Sequence, residues 1–452
     1  MSANFKRCRS ALTQMVVLAC GAGLVGTCAA QTLMDVFRKA QAQDAQYAIA
    51  RKTFDASLEK LPQARAGLLP SLNLTGNKNM QAGEASFSEA PYVQRDPNNW
   101  SWNLQLTQPL LRWGNWASYQ QADAQVRQAG EQFALAEQEL ILRTAQSYFD
   151  VLLASESLRV LDAQSKAVEE QWALAKRNFE VGTGTVTDVH EAHAKHALSL
   201  AQRVAAANEL TSKQADLERM LGEPMLLAPV RVGQTLPGIH ADQMDAWRAA
   251  AATGNPQVKV QQAALAVAQR EVDKSTSAHL PTLDLVLSRS GNYNSGSLSS
   301  PTDLESRVNT RQVGLQLSVP LFAGGATQSK VREALAMQER AVAELALAQR
   351  NADSQVRQAF AGVINGLAQI EALQVAVQAG NSAVEGNKIG FKIGTRIIPD
   401  VLNAEQQLFS SVRDLSRARI ETITHGLKLK AATGQLQTTD LAALELLLEP
   451  LQ

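Results

Sequence analysis

Phe179-Glu180-Val181-Gly182-Thr183 returns as Phe391-Lys392-Ile393-Gly394-Thr395, and the Asp188-Val189 that follows returns as Asp400-Val401. Outward from this pair the echo continues at a spacing of about 211 residues, the mark of an internal duplication. Leu69-Pro70-Ser71-Leu72 recurs as Leu280-Pro281-Thr282-Leu283, Pro109-Leu110-Leu111 as Pro320-Leu321-Phe322, and Leu221-Gly222 as Thr433-Gly434. Each half reads helix, strand, loop, strand, long helix, turn, helix. The first repeat spans 31–240, the second 241–440, and 441–452 forms a tail.

The predicted strands are 71–81, 101–111, 282–291 and 310–321. Trp102, Leu104 and Leu106 alternate with Asn103, Gln105 and Thr107; Val313, Leu315 and Leu317 alternate with Gly314, Gln316 and Ser318. Period-two alternation places one face in an apolar medium and the other in water. A half-buried sheet in a soluble sandwich shares that pattern. Here, however, the polar face is rich in Asn, Gln, Ser and Thr, as a water-filled lumen requires. The stretches Gly83 to Asn99 and Gly291 to Asn309 have the Ser, Gly, Asn and Pro content of exposed outer loops. Four strands cannot close a barrel, since about eight are the fewest that fill even a small one. An open sheet in lipid leaves its edges unsatisfied. Three copies would supply twelve strands. Pro70, Pro109, Pro281 and Pro320 stand at the inner strand ends, where proline halts a ladder and bends the chain.

Asn115 to Asn178 and Ala326 to Gly390 contain no proline and predict helices about 95 Å long. Val126, Phe133, Leu140, Ala154, Leu161 and Val168 lie on one seven-residue spacing, broken at Ser147. Val356, Val363, Ile370, Val377 and Val384 form a second, and Val401, Leu408, Leu415 and Leu429 a third, with Thr422 the exception. Such spacing marks coiled-coil seams. Hydrophobic residues make up 45% of the chain but aromatics only 5%, so Ala, Leu and Val supply the apolar surface, which favours helices over an aromatic core.

Residues 1–30 read as a signal peptide: Lys6, Arg7 and Arg9, then an apolar run from Leu12 to Val25, then Cys28-Ala29-Ala30 before Gln31. All three cysteines lie in this segment, so cleavage leaves a thiol-free chain suited to an oxidising compartment. Lipidation of Cys20 or Cys28 is the rival outcome. The mature chain carries three more acids than bases, which gives nucleic acid nothing to bind. No second apolar run reads as a membrane helix, so strands must do any crossing.

Several segments together resemble the TolC family of outer-membrane factors, over Leu33 to about Glu445. They include Leu104-Gln105-Leu106-Thr107-Gln108-Pro109, Ala145-Gln146-Ser147-Tyr148-Phe149-Asp150-Val151-Leu152, Thr187-Asp188-Val189, Pro320-Leu321-Phe322-Ala323-Gly324-Gly325 and Val401-Leu402-Asn403-Ala404, beside the repeated motifs above. The resemblance implies a mixed α and β membrane protein, mainly α. It would be a homotrimer with a 12-stranded outer-membrane β-barrel continued by a periplasmic coiled-coil α-barrel. Leu227 to Trp247 and the segment after Gly434 would form an equatorial girdle. It further implies a periplasmic adaptor and an inner-membrane transporter of ABC, RND or MFS type as partners, outer-membrane lipid around the barrel, and export of drugs or unfolded polypeptides without chemistry or cofactor.

The same resemblance places the gate at the two helical turns. Gly182 and Gly394 suit the left-handed residue that ends a helix. Asp188 and Asp400 fall in the first turn of the next helix, where capping alone favours a carboxylate. Three copies of Asp400 would ring the tunnel and select cations; where the family often has a second acid three residues on, this chain has Asn403. Arg396 matches a family residue that latches neighbouring helices, with Thr187 and Asp188 as expected acceptors and Phe391 replacing a tyrosine. His190, His193 and His196 share helical spacing but miss the His-Glu-x-x-His zinc pattern, so a solvated helix face is the expectation and no metal is assigned. A periplasmic adaptor with one coiled-coil hairpin is the rival function, which two matched halves disfavour.

Overall fold

The computed structural model describes residues 32–88, 90–225, 227, 230–232, 244–302 and 304–450. The expected signal segment and the 240/241 repeat boundary lie outside the described residues. In chain order the elements are α1 (Leu33–Gln43), α2 (Ala45–Leu58), α3 (Lys60–Ala66), β1 (Ser71–Met80), β2 (Gly83–Ala85), β3 (Val93–Arg95), β4 (Asn98–Leu111), α4 (Trp113–Glu180), α5 (Val186–Leu221), β5 (Val230–Val232), α6 (Met244–Gly254), α7 (Pro256–Ser277), β6 (Thr282–Asn294), β7 (Ser306–Ser318), α8 (Ala326–Lys392), α9 (Ile398–Ala432), α10 (Thr438–Glu445) and β8 (Leu448–Pro450).

The main sheet is antiparallel in the order β1-β4-β6-β7, so β1 and β7 are its open edges. Leu72 pairs with Leu106, Leu106 with Leu287 and Leu287 with Val313, which gathers the leucines on one face. Asn73, Gln105, Ser288 and Gln312 pair in the next row and gather on the other. The leucine face is bare: Leu72 is 62% and Leu315 67% exposed. β4, β6 and β7 all reach further toward the outer loops than expected, and β7 stops at Ser318 rather than 321. Their outer ends, rich in Asn, Ser and Arg, lack apolar alternation, yet the partner strand supplies the ladder, which is where strand stability resides. Pro70 and Pro281 stand immediately before their strands and Pro320 just beyond β7. Pro109, by contrast, lies inside β4 where the register slips between Pro109 and Leu111, a bulge that absorbs its missing N–H. There Arg112 donates through Nε and Nη2 to both oxygens of buried Asp284, at 2.8 and 2.6 Å, pinning the start of α4 to the foot of β6.

α4 and α8 run 68 and 67 residues unbroken, about 100 Å each at 1.5 Å per residue. α5 packs along the half of α4 nearer the turn and α9 along the same half of α8, while α7 packs on both long helices in the half nearer the sheet. The expected seams are buried: Leu140, Leu161 and Val168 on α4, Val356, Val363 and Ile370 on α8, Val401 and Leu429 on α9. Thr422, the exception in the seam, donates to the Ala418 carbonyl at 2.7 Å and faces Gly366 so closely that a Cβ on the glycine would collide with it. α8 also corrects an expectation: one stretch of it (mean hydropathy 1.4) is apolar enough to pass as a membrane span. Only 17% of that stretch is buried within the protomer, so most of its apolar surface is left uncovered by the single chain.

The largest core lies at mid-length, where α1, α4, the end of α5, α9 and α10 meet around Tyr148 and Phe149, fully buried and edge to face at 5.6 Å. Burial pushes the Tyr148 hydroxyl up to about 12, with Glu445 adding to it. β5 pairs with β8 nearby, joining the end of the first repeat to the chain's C-terminal region. Most of the stretch Leu227 to Trp247 expected in the girdle lies outside the described residues, and the expected 441 boundary cuts α10.

Candidate functional site

The two helical turns wrap identically. After α4, Gly182 takes φ 77° and the Thr183 and Gly184 N–H groups donate to the Asn178 carbonyl at 2.9 and 3.0 Å. After α8, Gly394 takes φ 80° and the Thr395 and Arg396 N–H groups donate to the Gly390 carbonyl at 2.9 and 3.2 Å. The left-handed glycines let the chain reverse while satisfying the last helical carbonyls.

The side chains then part company. Thr185 caps α5 and forms a reciprocal box with Asp188. The Asp188 N–H donates to Thr185 Oγ1 at 3.2 Å, and Asp188 Oδ2 accepts from the Thr185 N–H and hydroxyl at 3.1 and 2.7 Å. α9 opens at Ile397 with no side-chain cap and with Pro399 in its first turn. Asp400 therefore keeps its carboxylate for other use. Among the described residues its carboxylate pairs with the Arg396 guanidinium at 3.7 Å, and its side chain is 37% exposed. In the protomer Arg396 thus does not join Thr187 or Asp188 as expected: the cap has taken Asp188, Thr187 is exposed, and the arginine stem lies across Gly390 toward its own helix.

Asn403 is not an idle surface amide. Lys195 of α5 donates to its Oδ1 at 3.3 Å and to Gln406 Oε1 at 2.9 Å, tying α5 to α9. Phe391 packs with Val168, Ala175, Ala192, Ile398 and Leu402, so its ring sits where all four tip helices meet. Its counterpart Phe179 is 48% exposed. One turn above Val401, Lys388 reaches Glu405 at 2.7 Å; Glu405 is 2% exposed and its second oxygen has no partner among the described residues. Lys195, Lys388 and Glu405 escaped the sequence reading because a charged residue between seam positions reads as solvated face. Glu405 alone carried a signal, its place one turn from Val401; Lys195 and Lys388, on α5 and α8, carried none. His193 and His196 stack on Trp172 at 4.8 and 5.3 Å, with the Lys176 ammonium 4.7 Å from that ring. No group of three or more metal-ligating side chains is assembled among the described residues.

An open sheet with one bare apolar face, helices some 100 Å long, and an uncapped acid at the far turn together define a subunit of a membrane-spanning duct. The family model "Outer membrane efflux protein" matches residues 36–223 and 247–435, one match per repeat, and the chain belongs to that family. Its place is the outer membrane. It is 33% identical to the proteases secretion protein PrtF of Dickeya chrysanthemi over 96% of this chain and 94% of that protein. It is 31% identical to the outer membrane protein TolC of Vibrio cholerae over 91% of this chain and 92% of that one. Among solved structures, the CmeC outer membrane channel of Campylobacter jejuni superposes with a TM-score of 0.76, at 16% identity, covering 93% of this chain and 90% of that one.

Proposed function

We propose that three copies join the β7 edge of one protomer to the β1 edge of the next, closing a twelve-stranded barrel whose lumen continues into the helical tunnel. The observation that carries this is the sheet itself, apolar and bare on one face and open at both edges, a state that lipid does not tolerate. The duct is a passive exit for a tripartite efflux pump or a type I secretion system rather than an enzyme, opened when a periplasmic adaptor and an inner-membrane transporter dock on the tips. Similarity to a protein named for protease secretion supports a polypeptide among its cargoes.

In this reading the three Asp400 carboxylates form the constriction and prefer cations. Asn403 leaves that ring single, and Arg396 latches onto Thr187 and Asp188 once neighbouring protomers assemble. Single-channel recording of the mature protein in a planar bilayer, beside Asp400→Ala, tests it. The expectation is small cation-preferring steps that lose their preference in the variant. Unchanged selectivity would move the constriction elsewhere, and silence from an inserted trimer would remove the duct.

A further inference from the structure

The four strands of the main sheet contain four basic residues and one acid. Asp284, the acid, shares the polar face and is buried against Arg112. Lys78, Arg289, Arg307 and Arg311 all fall on the leucine face, by a register that pairs Lys78 with Trp100, Arg289 with Leu104 and with Arg311, and Arg307 with Tyr293. Arg289 and Arg311 share a level, each seven residues from the inner end of its strand (Thr282 of β6 and Ser318 of β7), whereas Lys78 stands four residues further out, in the row of Trp100, Tyr293 and Arg307. At 3.3 Å per residue, seven residues make about 23 Å along each strand. At a tilt of about 35–45° that is a rise of about 16–19 Å, which places the two arginines in the upper part of an apolar band about 25 Å tall, from where a long arginine stem reaches the headgroups. The inner half of the same face holds Leu72, Leu106, Leu285, Leu287, Leu315 and Leu317, with no cation. The positive charge is therefore confined to the outer edge of the lipid-facing wall.

Arg289 and Arg311 lie directly opposite each other on adjacent strands, with Cβ atoms about 5 Å apart, a placement that like charges disfavour. Both are exposed, and among the described residues neither has an acid or other acceptor. Arg307 differs, being paired with Glu305 at 3.0 Å and laid over Tyr293. A snorkelling anchor would need a single cation anywhere near the rim. Two opposed and unpaired guanidiniums instead make a fork for a dianion, because each can give two parallel N–H bonds to phosphate oxygens.

We propose that Arg289 and Arg311 bind the phosphomonoester headgroup of a phosphorylated glycolipid in the outer leaflet, whose acyl chains lie along the leucine face below. This rests on the sheet spanning the outer membrane. The phosphate relieves the opposed charges, and the aromatic rings of Trp100, Trp102 and Tyr293 at or above that level meet the sugar.

The test is native mass spectrometry of the purified trimer titrated with an acylated glucosamine disaccharide bearing two phosphomonoesters. The same lipid stripped of phosphate, phosphatidylglycerol and inorganic phosphate serve as separate arms. The parent should retain the bisphosphorylated lipid preferentially. Arg289→Gln/Arg311→Gln should weaken it by about tenfold or more, since both charged donors to the phosphate are removed. Equal retention by parent and double variant, or equal retention of the dephosphorylated lipid, would overturn the site. Protection by inorganic phosphate alone would overturn the lipid assignment. Single-channel conductance of the double variant, expected to match the parent, shows that the trimer and its pore are intact, so loss of lipid binding cannot be mistaken for failure of the duct.

Discussion

The two helical hairpins share a backbone and divide the work. At the turns, the close approach of two residues is kept but its glycine changes sides. Asn178 faces Gly184 in the first turn, and Gly390 faces Arg396 in the second. The first turn spends its aspartate on Thr185, whereas the second puts Ile397 in the capping place and leaves Asp400 outside any cap, beside Arg396. Higher up, Asp150 and Lys213 pair at 3.4 Å between α4 and α5. The repeat-related positions in α8 and α9 hold Gly362 and His425, in direct packing contact. A duplicated scaffold fixes where the chain turns; the side chains laid on it make one hairpin a strut and the other a gate.

That division breaks most visibly at the aspartates. Asp400→Ala should abolish most of the cation preference of single-channel currents while leaving the thermal midpoint of the trimer nearly unchanged. Asp188→Ala should do the reverse, costing about 1 kcal/mol as a lost cap with selectivity intact. If both variants alter selectivity alike, the hairpins are functionally equivalent and the comparison fails.

Next in size is the crowding at Gly366. An added Cβ would lie 2.2 Å from Thr422 Oγ1, so Gly366→Ala should destabilise the trimer by about 1–2 kcal/mol, overpacking outweighing the helix propensity gained. The repeat-related position in α4 is already Ala154, buried at 4% exposure, and Ala154→Gly should cost about 1–2 kcal/mol, helix propensity and the lost buried methyl together. Denaturant midpoints of the two variants separate tight packing from mere helicity.

A smaller effect is expected where the hairpins touch. Lys195→Met removes the tie to Asn403 and Gln406. Exposed polar ties are individually weak, so a rise in spontaneous open events by about twofold to tenfold is expected. Asn403→Asp should add a second acidic ring one helical turn from Asp400 and strengthen block by a trivalent cation; block equal to the parent's would count against the single ring.

The duplication, the four strands and the seams were legible because each is a backbone property written as periodicity or as glycine and proline. Leu104 alternates with Gln105 whatever the partner, and Gly182 and Gly394 announce a left-handed turn. What was not legible depends on which helix a side chain meets. Nothing local in Thr185 tells that it holds Asp188 while Arg396 turns to its own helix, and Glu405 reads as solvent-facing until Lys388 and the α8 surface bury it. The outward cations of β6 and β7 were equally hidden. The alternation assigned faces only as far as the leucines ran, and ladder register was needed to carry the assignment outward to Arg289 and Arg311.

The gentlest way to separate the hairpins is pH. Burial lowers the His425 pKa from its ordinary 6.5, the Lys428 charge lowers it further, and Glu421 opposes; Glu139 of α4 lines the same cleft of about 530 Å³. A histidine whose folded pKa lies below its unfolded value binds fewer protons when folded, so stability falls as pH drops through 6.5 toward the lowered value and is unaffected well above it. The α8/α9 hairpin should therefore loosen on acidification, while the α4/α5 hairpin, which has the Asp150–Lys213 pair where the other has the histidine, stays as it was. Hydrogen exchange compared at about pH 7.5 and about pH 5.5 should show increased exchange in α9 around His425 and little change in α5 around Lys213. His425→Gln should flatten the response of α9. If α5 and α9 respond equally in the parent, or if α9 still loosens in the variant, the acid sensitivity belongs to the assembly as a whole and not to the imidazole packed on Gly362.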